Sequence, residues 1–308
     1  ISVAGVANKM RFLANVVFLI VSQSIVESGA RSLQAKSVSP TVNYWHEKLP
    51  MTPIPNAILK LVSPVSSSPT LNTFLNRTDI ASHSYTSFKY YKLGSSDEQI
   101  LANPSVSIVL LEKDFQIGRK VTLDLGWKNS PEAYFIPRTK THTIPFSSDK
   151  LSLALEDLKI PQGSEMAVAM KQTLEECEHP AMNGETEFCA DSLESMIDYT
   201  TSKLATNHVN ALALDVPDRG SKSVKQQQQY SVVAFPFQSQ YASKAVICHR
   251  ETYAYAVYYC HELEATRAMQ VSLKGEDGSS LQGVGVCHAN TNAWNPEQEF
   301  LKVLNVKP

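Results

Sequence analysis

The spacing of apolar residues divides the chain into three textures. At the amino terminus, Lys9-Met10-Arg11 leads into Phe12-Leu13-Ala14 and on to Val16-Val17-Phe18-Leu19-Ile20-Val21, followed by a small-residue pair at Gly29-Ala30. A basic start, an apolar stretch within the ~7–15 residues of a signal core and small residues beyond it predict a secretory signal peptide. The expected processing unit is residues 1–30, with 1–9 a leader ahead of Met10 and cleavage near Ala30. The run is shorter than the ~20 apolar residues of a membrane span, and no later stretch reaches that length, so no membrane association is expected after cleavage. Residues 31–103 follow as an amino-terminal segment and linker, rich in Ser, Pro, Thr and Asn, as in Val62-Ser63-Pro64-Val65-Ser66-Ser67-Ser68-Pro69-Thr70. Within it lies an aromatic island, Tyr44-Trp45-His46-Glu47-Lys48-Leu49-Pro50.

From Pro104 the pattern becomes that of a folded domain. Val121, Leu123, Leu125 and Trp127 alternate with polar neighbours, the period of a half-buried strand, and Val106–Leu111 is its expected partner. The middle is helical. Leu151, Leu155 and Leu158 share one face, and Ala167, Met170, Leu174 and Cys177 recur at helical spacing after a Ser164 cap. Leu193, Met196, Ile197 and Leu204 predict a third helix. Strands are expected at 208–216, 230–237, 244–250, 253–262, 266–274 and 281–288, with a turn at Gly275-Glu276-Asp277-Gly278. Strands, then helices, then a run of strands read as an α+β fold with a mostly antiparallel sheet core.

Composition narrows the function classes. The 308 residues carry 28 basic and 30 acidic side chains, a formal charge of −2, which argues against a nucleic-acid partner that needs a basic surface. All five cysteines lie after residue 176. In the oxidising compartment that a signal peptide implies, they are expected to pair as disulfides. Asn76-Arg77-Thr78 is a glycosylation sequon at Asn76, consistent with secretion.

Three dipeptides concentrate the chemistry: Cys248-His249, Cys260-His261 and Cys287-His288, separated by ten and twenty-five residues. Cys177 and Cys189 lie upstream in the helical section. On a strand, adjacent side chains point to opposite faces. A Cys-His dipeptide therefore sends sulfur one way and imidazole the other, and strands stapled through sulfur bring their imidazoles together on the reverse face. Imidazoles at the ~4.5–5.5 Å of opposed strand positions can share copper or zinc. Against this stands a plainer reading of equal weight, structural disulfides with solvated histidines beside them. A zinc finger wants two cysteines within two to four residues, which is not the spacing here. A thiol nucleophile is disfavoured where cysteines are oxidised. The odd cysteine count points to a missing partner.

These dipeptides and their intervals resemble the BURP-domain family of plant proteins, marked by two upstream cysteines and four Cys-His pairs. Cys177-Glu178-His179-Pro180-Ala181 and the stretch around Cys189 resemble the upstream region, and Tyr44-Trp45 to Pro55 is similar to the family's amino-terminal segment. The resemblance implies a BURP domain over 104–308, incomplete at the carboxyl end because the fourth Cys-His would fall near position 314. The family's paired phenylalanines are here Leu110-Leu111.

Two functions follow from the resemblance. Many members are extracellular, wall, vacuolar or seed proteins without catalysis of their own, connected with drought stress; the expected partners are cell-wall polysaccharide or wall proteins. Others are copper-dependent cyclases that join a Tyr or Trp side chain to another residue of a core peptide in their own linker. In those, the histidines bind copper and the cysteines form staples, which would make His249, His261 and His288 copper ligands and Cys177, Cys189, Cys248, Cys260 and Cys287 disulfide cysteines. A linker substrate is poorly represented: Trp45 and Tyr85, Tyr90 and Tyr91 are unrepeated. Tyr253, Tyr255, Tyr258 and Tyr259, between two of the dipeptides, are placed for electron donation to copper or, as is commoner, for sheet packing.

Overall fold

The computed structural model describes residues 9–13, 16–20, 39–62, 109–112, 115–124, 133–180, 186–214, 227–235, 242–288, 301 and 304–307. Asn76 and its sequon lie outside the described residues, as does the rest of 1–38. The elements run β1 (Lys9–Leu13), β2 (Val16–Ile20), α1 (Pro40–Lys48), α2 (Asn56–Leu61), β3 (Val109–Leu111), β4 (Lys120–Asp124), α3 (Arg138–Thr141), α4 (Leu151–Asp157) and α5 (Glu165–Glu178). They continue with β5 (Glu187–Ala190), α6 (Leu193–Leu204), β6 (Asn210–Ala213), β7 (Gln227–Ala234), β8 (Ala242–Glu251), β9 (Val257–Gly275) and β10 (Ser280–His288). The fold is α+β.

One ten-stranded sheet runs β3-β1-β10-β9-β8-β2-β6, with β5 and β7 also on β9 and β4 on β7. Every one of these pairings is antiparallel. β9 is the organiser. The sequence pattern suggests two strands here, over 253–262 and 266–274; the structure has one strand of 19 residues starting at Val257. No Gly or Pro interrupts positions 257–274 to break it. Residues 252–256 form the connection from β8 instead, and Tyr253 and Tyr255 are buried there. The expected pairing of Val106–Leu111 with the strand after it is also corrected: β3 pairs with β1, and β4 pairs with β7.

The apolar run read as a leader supplies the backbones of β1 and β2. β1 lies between β3 and β10, and β2 between β8 and β6. Val, Ile, Phe and Leu make up signal cores and buried strands alike, so composition does not separate the two.

The helices follow the sequence closely. Ser164 Oγ accepts from Ala167 N at 3.2 Å to start α5, and Ser192 and Ser195 form a capping box at the start of α6. These caps satisfy amide groups that the first turn leaves without helical partners. α6 presents Leu193, Met196, Ile197 and Leu204 to a core that includes Val246, Tyr258, Cys248 and Cys260. α4 and α5 pack through Leu155, Leu158, Met166, Met170 and Leu174 on Tyr253, Tyr255 and Val257.

Residues 39–62, part of the segment whose composition reads as linker, belong to the first core. Trp45, Leu49 and Ile58 are fully buried in it. Burial of Leu49 and Ile58 contributes about 1.5–3 kcal/mol each. The aromatic island forms α1, introduced by Pro40 at its first turn, where a missing amide hydrogen costs nothing.

Candidate functional site

The β8–β9 pair fixes the geometry of the first two Cys-His dipeptides. Cys248 stands directly opposite Cys260, and the two form a disulfide with Cα atoms 4.0 Å apart. Both sulfurs belong to the buried core on the α6 side. Strand alternation then places His249 and His261 on the reverse face, and their Nε2 atoms are 3.2 Å apart. The rings stack with centroids 5.3 Å apart at an interplanar angle of 20°.

The imidazoles meet along a diagonal. His249 is opposite Tyr259 and His261 is opposite Ile247, so each ring reaches across the position facing the disulfide. Diagonal positions are ~7–8 Å apart at the backbone, a span that aromatic side chains close. Sequence reasoning expects directly opposed rings; the in-register cysteines exclude that, because residues following two paired antiparallel positions move in opposite directions along the strands.

The surrounding face has its own chemistry. The Tyr259 ring is 6.1 Å from that of His261. On the other edge of β9, β5 sets Glu187 opposite His261 and Cys189 opposite Tyr259. Cys189 is bonded to Cys177 at the end of α5. Glu251, two residues beyond His249 on the same face, is buried at 4% exposure. Desolvation, and then the neighbouring Glu176 charge, push its carboxyl well above the usual range. Glu251 is absent from the sequence reading. Its signal is the alternation His249-Arg250-Glu251, which sets a carboxylate beside an imidazole on one face.

The third dipeptide sits elsewhere. Cys287 is opposite Arg267, and the backbone of His288 is opposite Thr266. Thr266 lies five positions along β9 from His261, roughly 16 Å at ~3.3 Å per residue. Arg267 is seven positions, an odd number, beyond Cys260. Cys287 therefore takes the face of His261 and not that of the Cys248–Cys260 disulfide. It is buried. The expected separation into a sulfur layer and an imidazole layer holds for two dipeptides and is out of phase at the third.

Two nitrogens each ~2.0–2.1 Å from one ion stand roughly 2.9 Å apart at a right angle and about 3.4 Å apart at a tetrahedral one. The 3.2 Å between the Nε2 atoms falls inside that interval. The pair thus fits a shared imidazole-binding ion such as copper or zinc. Without an ion, one ring in its Nε2–H tautomer can donate to the other. Among the described residues, no group of three or more His, Cys, Asp or Glu side chains is arranged to hold a metal. Nor is any described helix long and apolar enough to cross a membrane.

The family model described as BURP domain matches residues 108–308. The chain is 38% identical over 223 residues to BURP domain protein RD22 of Arabidopsis thaliana, covering 71% of this chain and 55% of that protein. It is 40% identical over 220 residues to BURP domain-containing protein 3 of Oryza sativa subsp. japonica, covering 71% of this chain and 50% of the relative. BURP domain-containing protein 5 of the same rice is 34% identical over 269 residues, covering 86% of this chain and 80% of the relative. The chain spans about half the length of the first two of these relatives.

Proposed function

This chain belongs to the BURP-domain family of plant proteins, and on that premise we propose that it is a secreted, copper-binding protein of the plant wall, seed or stress response, without catalysis of its own. The observation that carries the metal reading is the 3.2 Å between His249 Nε2 and His261 Nε2. These two rings would hold the ion. Bound copper would supply one-electron chemistry and coordination of imidazole-compatible ligands. His288 is left out of this proposed ion site, because its dipeptide is out of phase with the other two and its backbone pairs five β9 positions from His261.

The residues themselves account for how such a site would be kept in shape. The Cys248–Cys260 disulfide locks the register from which both rings project. The α6 core behind that disulfide restrains it from the far side. The Cys177–Cys189 disulfide ties α5 to β5 at the border of the ring-bearing face. Wall polysaccharide or wall proteins are the proposed partners.

The rival reading, a copper-dependent cyclase acting on its own linker peptide, draws support from Tyr259 beside His261. A phenol there would be near enough to exchange an electron with an ion held by the pair. The unrepeated aromatic residues of 31–103 favour the non-catalytic reading.

Calorimetric titration of the disulfide-intact protein with Cu(II) tests the metal reading. Binding of one ion, abolished in both His249→Asn and His261→Asn, is expected; an unchanged isotherm in both variants refutes it. Incubating the copper-loaded full chain in air and weighing its linker peptide separates the two functions. An unchanged mass supports the binding protein, and loss of two hydrogens per crosslink supports the cyclase.

A further inference from the structure

Residues 40–62 are attached to the rest of the protein by contacts distant in sequence. Thr41 Oγ1 donates to Glu194 Oε1 at 3.0 Å, and Tyr44 OH donates to Asp198 Oδ1 at 2.5 Å. Arg138 completes that second contact, donating from Nη2 to Asp198 Oδ2 at 2.6 Å while its guanidinium lies 5.2 Å from the Tyr44 ring centroid. Thr52 Oγ1 donates to Val209 O at 2.7 Å, and Phe135 N donates to Leu61 O at 2.7 Å. Between these points Trp45 is fully buried, its indole N–H donating to Thr52 O at 2.8 Å.

The segment therefore has the anatomy of a bound peptide. Aromatic anchors and an arginine carry most of the energy of peptide and protein interfaces when they are buried and ringed by polar contacts. Here the Trp45 anchor is desolvated, and hydrogen bonds hold the segment near both ends. The segment also precedes the matched family region, which starts at residue 108. The sequence that follows it, from Val62 to Thr70, is built of Ser, Pro, Val and Thr.

We propose that residues 40–62 are a built-in peptide ligand of the domain: the surface around α6, Phe135, Arg138 and Val209 recognises this segment in its own right and keeps it when the chain between 63 and 108 is cut. The partner of that surface is a piece of the same polypeptide, and processing within 63–108 yields a two-piece protein whose fragments stay together. This inference is independent of the histidine pair.

The test uses the full chain, disulfides intact, with a site for a sequence-specific protease inserted between Ser67 and Ser68. After complete cleavage the sample is passed through gel filtration at about 1 μM, where co-elution requires a Kd below roughly that value. The fragment carrying Trp45 is expected to co-elute with the fragment carrying the disulfides and to separate only in denaturant. Tyr44→Phe combined with Thr52→Ala, which keeps the apolar anchors, should speed its release by at least about tenfold. Circular dichroism of the uncut double variant should match the parent. Separate elution of the fragments overturns the proposal, whether or not the larger one stays folded. Release unaffected by the double substitution also overturns it, since adhesion would then be indiscriminate.

Discussion

Cys189 stands directly opposite Tyr259 in the β5–β9 register, so the Cys177–Cys189 disulfide borders the face that carries His249 and His261. The Cys248–Cys260 disulfide lies on the other face, inside the core. The two bonds are half-buried and buried respectively, with Cys248 and Cys260 at 1% and 0% exposure. A mild reductant should therefore open Cys177–Cys189 first. Alkylation and peptide mass mapping along a reductant series would read the order, and simultaneous loss of both would contradict it.

Both disulfides join residues 12 apart, so loop closure contributes the same amount to each, about 3 kcal/mol. Any difference between them measures packing. Cys177→Ala with Cys189→Ala should cost about that much in urea unfolding. Cys248→Ala with Cys260→Ala should cost more, because it also leaves space in the core against α6. Equal losses would mean that the core bond is not tightly packed.

Removing one ring of the pair should have a larger effect on copper affinity than removing the third histidine. His249→Asn or His261→Asn is expected to exceed the roughly 10–100-fold loss typical of an outer partner of a metal site. His288→Asn should stay below that range. Competition against a coloured copper chelator gives the ranking, and equal losses in all three variants would restore a three-histidine site.

Trp45→Ala should destabilise the protein by about 3–5 kcal/mol, the usual cost of emptying a large buried aromatic site. Thermal or urea melts check this, Trp45 being fully buried in the core that α6 also lines. A loss below 1 kcal/mol, within the surface range, would show that α1 is dispensable.

Tyr230, Tyr253, Tyr255 and Tyr258 are all buried, and desolvation is the main cause that raises each phenol above its usual value near 10. A group raised in the folded state favours folding fully below its unfolded pKa and ceases to do so as pH climbs through the folded one. Stability should thus be unaffected by these phenols up to about pH 10 and fall steeply above it. In an absorbance titration at 295 nm, their ionisation should coincide with loss of far-ultraviolet circular dichroism. Ionisation at pH 10 with the fold intact would contradict the burial.

Much of this architecture was legible in the residues. The cap at Ser164 and the helical spacing of α5 and α6 are local signals, and local signals translate directly into helices. For the first two dipeptides alternation separates sulfur from imidazole, but the choice of cysteine partners and the diagonal meeting of the rings come from the β8–β9 register. The exceptions depend on partners remote in the chain. Nothing in Tyr44-Trp45 identifies α6 as its neighbour, since serine and proline downstream make the whole stretch look like connection. The place of Cys287-His288 depends on a count along β9, from Cys260 to Arg267, that requires knowing β9 is one strand. Composition splits that strand in two and so conceals the odd step.

The unbroken course of β9 carries a further consequence. Because β8 and β5 rest on its first part and β10 and β7 on its second, losing one residue between Glu262 and Thr266 would turn the far half of the sheet inside out relative to the near half. Buried side chains such as Val271 and Leu273 would then look toward water. Insertions and deletions should therefore be tolerated at the exposed turn 276–279 and rejected along the strand, as they should be in 252–256, where Tyr253 and Tyr255 are buried.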